Sequence, residues 1–189
     1  METIDIGAPP SGRVAITEPQ SSDRYDALSR LLHWIFAAAI LYATVAGYSL
    51  AQLPEGALRD DLSRLNMSIA TVLIVLFPLR VCWASVRAGP RDLPGLSAAQ
   101  RALAHGAHRL LYVAIFAVLA SGYLMVPHGY AFFGLIEIPT PFEQGALTAR
   151  LFAIHRASCA VLAGLVVLHL LAVAKHRWIA RNGVLKRML

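Results

Sequence analysis

Residues 31–53 contain no Asp, Glu, Lys or Arg, and 23 residues at ~1.5 Å rise span a ~30 Å hydrocarbon layer as a single helix. In lipid the backbone polar groups must bond within their own segment, so a run of this kind is a helix or nothing stable. Three further stretches read the same way. One covers about residues 65–86, interrupted by Arg80 and by Pro78, which is expected to kink its far part. A third covers about 104–126, uncharged once past Arg109, and a fourth about 151–174, with Arg156 inside one end and Lys175 just past the other. Basic side chains near the ends of a span reach the interface along their own methylene stems. With 57% hydrophobic residues and a mean hydropathy of +0.58, the chain is more apolar than a soluble domain of this size requires. The expected fold is therefore an all-α membrane protein, a bundle of four transmembrane helices.

The basic residues set an orientation. Of 17 Lys and Arg, 13 fall before the first span, after the fourth, or from Arg80 to Arg109 around the link between the second and third. The positive-inside rule then puts both termini in the cytoplasm. Trp34, Trp83 and Trp178 fall at that same face, as an interfacial aromatic belt would place them. A pI near 9.8 invites a nucleic-acid reading, but the charges flank apolar segments and form no stripe, so no nucleic acid is expected as a partner. The chain divides into a polar N-terminal segment, 1–28, a transmembrane domain, 29–178, and a basic tail, 179–189. The first span, too long for a signal-peptide core, is expected to be retained. The Pro/Gly stretch GPRDLPGLS is a turn region. Cys82 and Cys159 lie at opposite depths and read as small buried apolar side chains, not as a disulfide.

Six of the seven histidines lie in or beside the spans, where an ionisable group is costly enough to read first as functional. His155 and His169 are 14 residues apart, ~3.9 turns, so they leave one helix on nearly one face ~21 Å apart. That spacing suits axial ligands of two stacked haems, one near each membrane surface; it also suits two histidines hydrogen-bonded to neighbouring helices. His33 enters from the cytoplasmic side and matches His169 in depth, and His108 lies on that side too. At the level of His155, the matching position of the second helix is Asn66.

The series LSRLLHW (His33), LR followed by a Trp (Arg80, Trp83), AHGAHRLLY (His105, His108, Tyr112), SGYLMV, IHRASCA (His155), VLHLLAVAKH (His169, His176) and NGVLKRML resembles the bacterial cytochrome b561 family from about residue 24 onward. The resemblance implies a four-helix membrane bundle in the bacterial inner membrane. It implies haem b held by His33 and His169 on the cytoplasmic side, and a second haem on His155. In that family the partner of the last ligand is a histidine in an L-H-K-S-x-G type motif; this chain has LNMSIA, so Asn66, Met67 and Ala70 stand in place of His, Lys and Gly. Three arrangements follow. The outer haem is absent and His155 bonds Asn66 or Ser68; it is five-coordinate on His155; or Met67 supplies the second ligand, although it points ~100° away from Asn66.

A six-coordinate haem transfers electrons and does not bind oxygen. Its propionates need cations near the inner surface, for which Arg30, Arg80, Arg109 and Lys175 are available. The resemblance also implies a quinone, ubiquinone for example, as the electron partner, with His108 and His176 placed to hydrogen-bond or protonate it. Two functions are weighed: an oxidoreductase exchanging electrons with the quinone pool, superoxide being one outer donor in the family, and an accessory or anchoring subunit of a larger membrane redox complex. The oligomeric state is open. His128, in an outer loop, is expected to be solvated.

Overall fold

The computed structural model describes residues 24–87, 97–179 and 185–189. Four helices, α1 (Ala27–Leu50), α2 (Ala57–Val86), α3 (Ala98–Leu124) and α4 (Ala146–Trp178), are each long and apolar enough to cross a membrane. Between α3 and α4 two short strands, β1 (Tyr130–Phe132) and β2 (Ile136–Ile138), pair as an antiparallel hairpin, and a 3₁₀ turn (Leu185–Arg187) follows α4.

The helices run past their apolar stretches, because a hydrogen-bonded ladder stops at a cap and not where hydropathy falls. The N-cap of α1 is Asp26, whose carboxylate accepts from the Ser29 N–H at 2.9 Å. In α3 a capping box starts the helix at Ala98, six residues ahead of the expected start: the Ser97 hydroxyl accepts from Gln100 N, and Gln100 Oε1 accepts from Ser97 N. Likewise α2 begins in the charged sequence ALRDDLSR, eight residues early, and continues through Pro78. Of the turn region GPRDLPGLS, all but Ser97 lies outside the described residues.

Successive helices alternate in direction. α1 packs on α2, α3 on α4, and α2 touches α3, while α1 and α4 share no extended interface among the described residues. Phe36, Leu73, Ala114, Ile115, Leu119 and Leu162 form the buried mid-bundle core. Outward-pointing Val45, Val75, Val113, Phe116 and Leu168 are exposed, the pattern a lipid solvent favours.

The two ends differ. At one, called here the terminal end, the last residues fold back across the start of α1: Tyr25 N donates to the Arg187 carbonyl at 3.0 Å, Trp34 Nε1 to the Met188 carbonyl at 2.9 Å, and Arg30 Nη1 to the Leu189 carbonyl. The described part of the basic tail is thus docked on the bundle. Trp83 also lies here, but its indole N–H, like that of Trp34, bonds inside the protein, to Asp26 Oδ1 at 2.9 Å; Trp178 is exposed. At the opposite end the hairpin lies on α2. Phe133 N donates to the Ser68 hydroxyl at 2.8 Å, and the Tyr130 hydroxyl bonds that of Thr71.

Candidate functional site

Toward the terminal end, four helices each contribute one side chain at one level: His33 from α1, Arg80 from α2, His108 from α3 and His169 from α4. The rings of His108 and His169 meet edge to face with centroids 5.7 Å apart. His33 stands within electrostatic reach of Arg80, His169 and His108, and its ring packs edge-on against Trp34 at 5.5 Å. His108 Nδ1 lies 2.7 Å from the Ala104 carbonyl. A carbonyl only accepts, so Nδ1 carries a proton.

Arg80 turns inward. Its Cζ sits 5.2 Å from the Phe36 ring centroid and 5.6 Å from that of Tyr112, and its Nε is buried with no hydrogen-bond partner. A guanidinium held between two aromatic faces is attracted to them, yet the orphaned N–H still calls for an acceptor. The other sequence candidates are more peripheral. Arg30 reaches the Leu189 carbonyl, Arg109 is exposed on α3, and His176 is half-buried in the last turn of α4 on the face that carries His169. Lys175 and His105 are exposed.

The hairpin end holds His155, which is aimed at α3. Its Nδ1 lies 3.1 Å from the Val118 carbonyl and 3.2 Å from the Ser121 hydroxyl, and Nε2 lies 3.4 Å from Cys159 Sγ on the next turn. The carbonyl again fixes the proton on Nδ1, leaving Nε2 as acceptor. Gly122 makes this approach feasible: a Cβ there would lie 3.0 Å from His155 Cε1. The bonds to Asn66 or Ser68 expected from the sequence are not formed. Ser68 sits ~200° around α2 from Asn66, where its hydroxyl donates to the Arg64 carbonyl and accepts from Phe133. Asn66 Oδ1 is buried and without a donor. His128, out in the loop, pairs with Glu143 at 2.9 Å and is exposed.

No group of three or more His, Cys, Asp or Glu side chains converges on a metal-ion site among the described residues. Haem iron needs less, since the macrocycle supplies four nitrogens and the protein one or two. At the terminal end the donor set fits: imidazoles on two helices that do not pack on each other, beside a buried arginine with an unsatisfied N–H. At the hairpin end a second bis-histidine pair does not fit, because the residue on α2 is an amide. Sequence reasoning missed the Val118, Ser121 and Gly122 cradle of His155, although the SG of SGYLMV marks it. It also missed the docking of Asp26 on Trp83, which joins positions 57 residues apart and leaves no local pattern.

Residues 24–189 match the family model described as Prokaryotic cytochrome b561. The chain is 28% identical over 172 residues to the Escherichia coli (strain K12) protein named Cytochrome b561 homolog 2, a match covering 88% of this chain and 92% of that one.

Proposed function

Because this chain belongs to the prokaryotic cytochrome b561 family, as a multi-pass bacterial membrane protein for haem b electron transfer, we propose that it works with one haem, held by His33 and His169, and exchanges electrons with quinone. The observation that supports this reading is the gathering of His33, Arg80, His108 and His169 at one level of the bundle.

Bound there, haem b supplies a one-electron iron couple whose potential depends on axial ligands and burial. His33 and His169 would hold it through their imidazoles, a ligand pair that favours electron transfer over oxygen binding. Phe36, Leu111 and Tyr112 keep that level of the bundle apolar. Arg30, Arg80 and Arg109 supply positive charge for carboxylates. His108 and His176 would hydrogen-bond a quinone oxygen and pass it a proton. The basic terminal end faces the cytoplasm in this reading, and the membrane is the bacterial inner membrane.

A reduced-minus-oxidised difference spectrum of the purified protein tests the proposal. A b-type signal is expected in wild type, lost in His169→Ala and little changed in His155→Ala; pigment-free protein from haem-replete cells refutes it. The amide at Asn66 favours a second reading. With no bis-histidine site in the hairpin half, an electron donor on that side is far from the inner iron, as an accessory subunit of a larger redox complex could tolerate. A native pull-down separates the two: a stable larger complex supports the subunit, a monomer or homodimer that reduces quinone analogues supports the enzyme.

A further inference from the structure

Near the terminal end α2 and its C-cap carry two arginines on one face, Arg80 and Arg87, seven residues apart and so ~20° apart around the helix and ~10 Å along it. Both line one cavity of about 20 Å³, walled also by Ser29, Trp83, Tyr112 and Met188. Arg80 Nε and Arg87 Nη1 are both buried with no acceptor. Arg87 also stacks on the Tyr25 ring, with Cζ 4.4 Å from its centroid, and lies within electrostatic reach of the Asp26 carboxylate. Two like charges within electrostatic reach, each with a donor withdrawn from water, call for a further oxygen acceptor.

Asp26 is the one acidic side chain at this end among the described residues, and its carboxylate is already engaged. Oδ1 accepts from Ser29 N and Trp83 Nε1, and Oδ2 accepts from the Ser29 hydroxyl at 2.6 Å. A water molecule fits the volume but brings no charge. The cavity admits one oxygen of an oxyanion, and Arg80 is the residue that links it to His33. Resting on the reading of His33 and His169 as haem ligands, we infer that Arg80 and Arg87 form a seat for one carboxylate of that haem. Paired guanidinium groups suit this role because each presents its donors in a rigid planar fork matched to a carboxylate.

The test follows haem release to excess apomyoglobin from wild type, Arg87→Gln and Arg87→Lys, each loaded with haem b or with its dimethyl ester, whose carboxylates carry no charge. Arg87→Gln is expected to release haem b about tenfold faster or more, the size of a lost buried charge-assisted bond. Arg87→Lys keeps the charge but not the planar fork and should fall between wild type and Arg87→Gln, which also guards against a folding defect. Release of the ester should be the same in all three proteins. Equal acceleration for both pigments, or none for either, overturns the seat while leaving the haem reading intact. Wild-type protein that takes up neither pigment overturns both. Native mass spectrometry covers the remaining source of an oxyanion: if Arg87→Gln sheds a bound phospholipid while haem release stays unchanged, the group is a lipid phosphate and the assignment of the seat to a haem carboxylate falls.

Discussion

His155 shows how much one ring can reveal. A carbonyl at 3.1 Å fixes its proton on Nδ1, and an orienting bond of this type is what a metal-binding histidine usually makes with its other nitrogen. The geometry therefore ties α4 to α3 and leaves Nε2 facing Cys159. Gly122 is the condition for that tie, since a methyl group 3.0 Å from Cε1 would force the ring or the helix to move. Gly122→Ala is expected to destabilise the protein by about 1–3 kcal/mol, read as a lower Tm in detergent, and the loss should shrink when His155 is also Ala. Equal losses in both backgrounds would mean that the methyl clashes with something else. Asp26 gives a second test at this scale. Partial burial disfavours its charge, but hydrogen bonds from Ser29 and Trp83 and the charge of Arg87 outweigh it, so its carboxyl sits below the ordinary 3.8. The unfolded chain then binds the proton more readily, and the stabilisation is complete above the ordinary value and lost as pH falls through the folded one. Wild type should exceed Asp26→Asn in Tm at neutral pH, with the gap closing below about pH 4; a pH-independent gap would assign the effect to shape and not to charge.

Elements differ in how openly the sequence declares them. All four spans were legible because lipid demands uniform apolarity over about 20 residues, and that signal is hard to produce by accident. Their true ends were less so: Ser97 and Gln100 announce the start of α3, but hydropathy alone passes over a cap. The hairpin left almost no trace, as three-residue strands carry too little alternation to read. What makes it is its backbone. Gly129 has φ +82°, and a Cβ there would lie 2.5 Å from the Ile138 carbonyl of the paired strand. Gly129→Ala is thus expected to unpair β1 from β2 and free Phe133 and Tyr130 from α2. Limited proteolysis should then cut between α3 and α4 several-fold faster, at a stability cost of about 1–3 kcal/mol. An unchanged digestion pattern would show that Ser68 and Thr71 hold the hairpin without its turn.

Across the whole molecule the two halves of the bundle have diverged in chemistry. The terminal half gathers His33, His108, His169 and Arg80, residues that come from four separate stretches of chain. Their depth could be counted from the sequence, but their convergence depends on how the helices rotate, which no single helix encodes. The hairpin half holds His155 against Val118 and Ser121 of α3, and carries an amide, Asn66, on α2. There, the hairpin grips α2 through Ser68 and Thr71, ~200° and ~140° around the helix from Asn66, so Asn66 is directed away from it into the bundle with its Oδ1 unpaired. An imidazole at 66 would replace an unsatisfied amide with a ligand, at a place the hairpin already fixes and beside the small side chain of Ala70. Pyridine haemochrome analysis should return one haem per chain for wild type and two for Asn66→His, and again one for Asn66→His combined with His155→Ala. Two haems in wild type would mean that His155 holds iron without an imidazole across from it. A single haem in Asn66→His would mean that the cradle of Val118, Ser121 and Cys159 has closed around His155 too tightly for the macrocycle to enter.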